Sequence, residues 1–315
     1  MRALSCLSLY AVFLLSTPSF AAPEVKLSGF VDSSLSFRPT SSEEGLLLAL
    51  DQVELDIAVS LDRLALRIDL QYFPTTLHDP STGPVATFDE LVEQGFAEFF
   101  FTTPERGLYL RAGKWNAPVG FETVDPTGLW QSTHGLLFSL TDPSNLTGVA
   151  FGWNGPSTRA ELWVSNDWDA PGSPKDTHLG GRLQQTLGEV GTLGLSTTFG
   201  ALSEANPRLM LDLDGALSFK PLRLGFEVNF GLRGDLTSLG FLLSANVALS
   251  DKISVTGRFD WLDREFDTAY TGSSLTLAGL FNLAQGFDIL LEARADFQDG
   301  ADTELLTILE ALASF

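Results

Sequence analysis

The chain is poor in the residues that most often carry chemistry. Among its 315 residues there is one cysteine and there are three histidines. Cys6 lies ahead of the first apolar run, inside a stretch that reads as a removable leader, so neither disulfides nor thiol chemistry is expected in the mature protein. His78, His134 and His178 lie far apart without ligand spacing, and neither a metal nor a cofactor is expected. Basic residues number 19 against 40 acidic ones, a formal net charge of −21 that argues against nucleic acid as a partner. No apolar run of about 18 residues or more follows the leader, which excludes membrane helices. Phosphate-binding loops and dinucleotide fingerprints are missing as well.

What the chain does have is alternation. Apolar residues make up 44%, with 29 Gly and 24 Phe, and the mean hydropathy is +0.13. That value suits a β-barrel in a membrane, where half of each strand meets lipid and half meets water. The first residues, MRALSCLSLYAVFLLSTPSFA, combine Arg2, an apolar run from Leu7 to Leu15, Pro18 and the small residues Ser19 and Ala21. They predict a signal peptide over 1–21, followed by one barrel domain over 22–315.

Parity switches mark the hairpins. Val53, Leu55, Ile57, Val59 and Leu61 share one face, Asp62-Arg63 intervenes, and the apolar face resumes at Leu64, Leu66, Ile68, Leu70 and Tyr72. A tight turn between two strands of one sheet requires that switch. In the second half, strands are predicted at 178–187, 191–202, 208–219, 222–233, 237–249, 252–262, 273–283, 286–298 and 303–315, for about sixteen in all. Short connections alternate with longer ones, the signature of an all-β, antiparallel, up-and-down transmembrane barrel. A soluble β-sandwich also alternates but has shorter strands and less regular hairpins.

Phasing each strand on its apolar residues alone puts every strand charge from Arg208 onwards on the opposite face. A charge on the lipid face costs roughly 2–4 kcal/mol at mid-bilayer. Asp51 and Glu93 are the exceptions, falling on the nominal lipid face near loops. The predicted lumen wall includes Arg223, Glu227, Arg258, Asp260, Glu292 and Arg294. Counted along the strands, with Lys26, Arg38, Arg63 and Lys220 among the basic residues, wall charges come close to balance and the acidic excess is assigned to loops and turns.

Two resemblances sharpen this reading. The final stretch, TELLTILEALASF, ends an apolar strand on Phe315 and resembles the assembly signal of bacterial outer-membrane barrels. It implies that the last strand closes against the first. The block EFFFTTPERGLYLRAGKWNAPVGFETVDPTGLWQSTHGLLFSLTDPSNLTG, Glu98 to Gly148, carries a Gly-Lys-Trp strand end leading into Ala-Pro-Val-Gly-Phe-Glu. It resembles the OmpL-like β-barrel porins and, more distantly, the phosphate-selective porins, without an Arg/Lys ladder like that expected of a phosphate channel.

The resemblance implies an outer-membrane porin that passes small hydrophilic solutes and ions. Its expected partners are outer-membrane lipid, periplasmic chaperones, the barrel-assembly machinery and the solutes themselves, with homo-oligomerisation left open. The long segment 116–145 is a candidate constriction loop, with Glu122 and Asp125 facing the wall residues Arg111 and Lys114 across the lumen. An acidic rim predicts weak cation preference. Two other readings remain open: a barrel enzyme built on Ser132 and His134, as in a phospholipase, and a structural or adhesive barrel closed by its loops. No third member of a catalytic triad can be named.

Overall fold

Sixteen strands form where the apolar alternation places them, and their hydrogen-bond ladders close into a ring. The computed structural model describes residues 22–39, 45–72, 91–166, 177–200, 207–267 and 269–315. The predicted leader over 1–21, His78 and most of the connection after Tyr72 lie outside the described residues. The first eight strands are β1 (Glu24–Arg38), β2 (Gly45–Leu61), β3 (Leu64–Tyr72), β4 (Val92–Phe100), β5 (Gly107–Asn116), β6 (Asn145–Asn154), β7 (Thr158–Ser165) and β8 (His178–Thr186). Then come β9 (Gly191–Gly200), β10 (Arg208–Phe219), β11 (Leu222–Arg233), β12 (Leu236–Ser250), β13 (Ile253–Arg264), β14 (Tyr270–Ala284), β15 (Phe287–Gln298) and β16 (Glu304–Ser314). Each pairs antiparallel with its sequence neighbours, and β1 pairs with β16. Closure leaves no sheet edge, so every strand's backbone groups find partners without water, as a lipid setting requires.

The seam is held at its end by Phe315. Its amide donates to the Gly29 carbonyl at 3.1 Å, and the Gly29 amide donates back at 3.3 Å. The phenyl ring lies over Gly29, where a Cβ would stand 3.0 Å from a ring atom. From there the register runs from Phe30 opposite Ser314 to Phe37 opposite Thr307.

Outside and inside are chemically inverted relative to a water-soluble protein. Large apolar side chains are exposed along the outward positions, for example Leu195 and Phe199 on β9, Leu211 and Leu213 on β10, and Leu275 and Leu277 on β14. The buried charges are mostly acids: Asp32, Glu54, Asp69, Glu93, Glu122, Asp142, Glu161, Asp212, Asp214, Glu227, Asp260, Glu292 and Glu310, against Arg111, Arg258 and Arg264. Partly buried inward arginines, Arg67, Arg182 and Arg294, each pair with a carboxylate and narrow that excess. Lys26, Arg38, Arg63 and Lys220, counted towards the wall, are exposed residues at strand ends and do not offset the interior acids.

Asp51 and Glu93 are also relocated, for one shared reason. In the β1/β2 ladder Asp32 faces Gln52 and Ser33 faces Leu50, so Asp51 is skipped. In the β3/β4 ladder Asp69 faces Gln94 and Leu70 faces Val92, so Glu93 is skipped. Each is the extra residue of a β-bulge, and an extra residue resets the in/out parity that strict alternation would carry through. Glu93 is accordingly 1% exposed and accepts a hydrogen bond from Asn116 at 2.8 Å.

Candidate functional site

Between β5 and β6 the chain leaves the wall and returns to it beside its own starting point. Ala117 N donates to Ser144 O at 2.8 Å, and Asn145 Nδ2 donates to Asn116 Oδ1 at 2.6 Å, so the two limbs are tied at the base. Beneath that base lies an apolar cluster of Trp115, Val119, Leu146, Ala150, Trp163 and Met210. Residues 117–144 then cross the barrel interior, with one 3-10 turn, Pro126–Gly128, and one short helix, α1 (Leu136–Leu140). Phe121 packs its ring where a Cβ on Gly225 of β11 would otherwise sit.

Irregular backbone inside a barrel needs hydrogen-bond partners that no sheet supplies. Here the wall carboxylates supply them. Gly120 N donates to Asp212 at 3.3 Å on β10, and Phe121 N to Glu227 at 2.7 Å on β11. Ser132 N donates to Glu292 at 2.7 Å on β15, and Leu136 N to Asp260 at 3.0 Å on β13. Glu227, Asp260 and Glu292, expected to line a water-filled lumen, therefore serve as docking points for the loop.

Arginines complete the attachment. Arg258 Nη1 meets Glu122 at 2.8 Å and its Nε meets Asp260 at 3.1 Å, and it also donates to the carbonyl oxygens of Thr133 and His134. Arg294 donates to His134 O at 2.6 Å and pairs with Asp296 at 2.8 Å. Arg223 donates to Asn246 at 2.8 Å while its guanidinium lies 4.7 Å from the centre of the Trp130 ring. All six predicted wall residues thus face inward, and each bonds or stacks on the loop.

The expected confrontation of Arg111 and Lys114 with Glu122 and Asp125 is not what forms. Arg111 points inward but is held by Glu98 at 2.7 Å and Glu161 at 3.1 Å. Lys114 is three residues further along β5 and so has the parity of the outward residues Leu108, Leu110 and Ala112. Its amine donates to Val92 O at 2.9 Å at the start of β4. A strand's period of two cannot put positions 111 and 114 on one face. Glu122 turns to Arg258, and Asp125 lies beside Glu54 and Glu93 of the near wall.

Space remains on the side of the loop facing β4 to β10. A cavity of about 180 Å³ is lined by Arg111, Arg159, Glu161 and Arg182, among others. A second, of about 360 Å³, shares Arg182 and Gln184 and is bordered by the loop from Gly120 to Gln131. Each arginine here has a carboxylate: Arg182 meets Asp214 at 2.5 Å, and Arg159 meets Glu161 at 3.5 Å. Arg159 is not among the charges placed on the lumen wall from sequence, whereas Asp214 belongs to the strand charges from Arg208 onwards that are placed there. Their inward parity was the available signal; which part of the lumen the loop leaves open was not.

The Ser132/His134 pair has no catalytic geometry. His134 Nε2 is engaged by Thr123 O at 2.8 Å and the ring stacks on Phe138 at 3.8 Å. Burial lowers its proton affinity, with Glu122 and the Thr123 carbonyl opposing. The Ser132 side chain lies against Glu310 of β16 and not against His134, so the two do not form a nucleophile–base pair.

A closed sixteen-strand barrel with an apolar exterior, a polar interior and a long inward loop defines the porin class of outer-membrane channel. Residues 25–303 match the family described as "Putative beta-barrel porin-2, OmpL-like", and the chain belongs to that family, placing it in the bacterial outer membrane. Solved structures agree on the fold. The outer-membrane channel DcaP of Acinetobacter baumannii superposes with a TM-score of 0.69 at 10% identity, covering 93% of this chain and 97% of that one. The trimer form of OmpT, an outer membrane protein of Vibrio cholerae, gives 0.68 at 11%, covering 94% and 100%. An anion-selective porin from Comamonas acidovorans gives 0.66 at 14%, covering 93% and 100%. No curated protein matches the chain by sequence.

Proposed function

We propose that the protein is a passive diffusion channel for small hydrophilic solutes and ions, without catalytic activity, and that it prefers cations. The observation that carries the preference is the acidic excess among the buried interior charges. A water-filled passage with low-dielectric walls concentrates counter-ions of the opposite sign. The preference would then rest on interior wall charge as well as on any acidic rim. Homo-oligomeric assembly is part of the proposal, in keeping with the trimer form described for the Vibrio cholerae neighbour.

The test is single-channel recording of the purified protein in a planar bilayer. Discrete ohmic steps with a cation-positive reversal potential in a salt gradient are expected. A second reading, a structural barrel closed by its loop, is favoured by the dense bonding of residues 117–144 to the wall. Folded, inserted protein without conductance would select that reading.

A further inference from the structure

We propose that Asp142, Asp212 and Glu227 form a binding site for a hard divalent cation of calcium size, which fastens the inward loop to the barrel wall. Asp142 follows α1 on the returning limb of the loop, Asp212 lies on β10 and Glu227 on β11. One oxygen from each lies within 4.8 Å of the others. A calcium ion holds its oxygen ligands at about 2.4 Å, so two ligands on opposite sides stand about 4.8 Å apart. Oxygens no further apart than that can be shared by one ion.

Burial and valence point the same way. Asp212 and Glu227 are each 1% exposed and Asp142 is 9% exposed. On each, one oxygen already has a protein donor: Asn229 Nδ2 to Asp142 Oδ1 at 3.0 Å, Gly120 N to Asp212 Oδ1 at 3.3 Å, and Phe121 N to Glu227 Oε2 at 2.7 Å. The second oxygen of each, Asp142 Oδ2, Asp212 Oδ2 and Glu227 Oε1, is buried without an N–H or hydroxyl donor, and the carboxyls face one another, Asp142 against Glu227 and Asp212 against Asp214. Three sealed carboxylates this close together are strongly unfavourable unless a cation or shared protons neutralise them.

No side chain supplies that charge. Among the described residues no arginine or lysine forms a salt bridge with any of the three. Arg208, at the start of β10, donates to Thr141 O at 3.4 Å beside Asp142 and pairs with Asp267 at 3.1 Å, and Arg182 is taken by Asp214 and Ser196. Glu122 and Asp260 differ in sharing Arg258. The second cluster, Glu54, Glu93 and Asp125, has Arg67 acting on Asp125 and Lys114 acting on Glu93. Gly120 completes the argument for a built site. At φ +80 it lies so close that a Cβ would come within 2.8 Å of Asp142 Oδ2 and 3.0 Å of Glu227 Oε2, and only glycine adopts that backbone there without strain.

Oxygen-only ligands with several carboxylates select calcium-like ions over zinc or copper, and a flexible set suits calcium better than the stricter geometry of magnesium. Because the three ligands come from the loop and two strands, the bound ion would hold both limbs of the loop, the outgoing one through Gly120 and Phe121 and the returning one through Asp142.

The experiment uses the full barrel folded in detergent, where binding is read whether or not the protein conducts. Calcium chloride at about 1 mM, the range typical of extracellular calcium modules, should raise the thermal unfolding temperature, and excess chelator should reverse it. Asp212→Asn should lose that shift and weaken calcium binding by about tenfold or more, since affinity follows ligand charge. As a readout that needs no variant, terbium(III) bound to the wild type should show a luminescence lifetime well above that of the hydrated ion. Absence of a calcium-dependent shift, an equal shift in the Asp212→Asn protein, or a lifetime equal to that of the hydrated ion would each overturn the proposal. A proton shared among the carboxylates would then be the neutralising charge.

Discussion

Glu122, on the inward loop, and Arg258, on β13, meet at 2.8 Å with side chains 1% and 0% exposed. Arg258 also carries Asp260 and two loop carbonyls, so one guanidinium fixes the loop's central turn to the wall. Removing one partner of a buried ion pair costs about 3–5 kcal/mol, because the other charge is left unpaired. Arg258→Met should therefore release the loop, destabilise the barrel and give larger, noisier conductance steps. Glu122→Gln combined with Arg258→Met should recover part of the lost stability. Thermal unfolding of the single and double variants checks both points, and an additive loss would show that the pair does not couple.

Acidity should act through Asp125. Its proton affinity is pushed up to about 7 by burial, with Glu93 and Asp56 adding to the effect and Arg67 opposing it. Raised above its ordinary value of 3.8, the group favours the docked loop most fully below that value, and the contribution is lost as pH rises through about 7. The groups facing it are Glu54, Glu93, Asp56 and Arg67. Channel noise is expected to increase between pH 6 and pH 8 in the wild type. Asp125→Asn should flatten that dependence, and an unchanged profile in the variant would assign it to another group.

Much of this architecture is legible in the residues themselves. β10 and β11 begin and end where apolar alternation predicts, because outward positions facing lipid leave little freedom in sequence. Asp51 and Glu93 defied the pattern because a bulge cannot be seen by a reading that assumes a period of two. The loop's partners were hidden for a different reason. Glu227, Asp260 and Glu292 have the same inward parity whether they face water or a backbone amide, and only the path of residues 117–144 distinguishes the two. Lys114 was misplaced by motif proximity to Arg111, although counting along β5 would have separated their faces.

Deleting Phe315 should impair assembly far more than it alters any channel that forms. The residue contributes both backbone bonds to Gly29 and a ring packed over the seam. Its loss opens the end of the β1/β16 ladder and exposes unpaired amides to lipid, each costing several kcal/mol. Heat-modifiable mobility in gels and membrane fractionation report the outcome. A deletion protein inserted at the wild-type level would remove the residue from any role in closure.

Selectivity tests the interior charge directly. Along the open side, Arg111, Arg159 and Arg182 are each paired with a carboxylate, so the wall there presents alternating and largely compensated charge. Removing the positive member exposes its acid. Arg182→Gln would leave Asp214 uncompensated at the edge of the larger of the two cavities, which it lines. The expected result is a stronger cation preference than the wild type, fading towards 1 M salt, where the screening length is about 3 Å. Asp214→Asn, leaving Arg182 free, should move the reversal potential in the opposite direction. Shortening the loop between Gly120 and Gln131 should raise conductance while reducing the contrast between these two variants, since the passage would widen and their charges would lie further from the permeating ion. Equal reversal potentials for Arg182→Gln and Asp214→Asn would place the ion path away from both cavities.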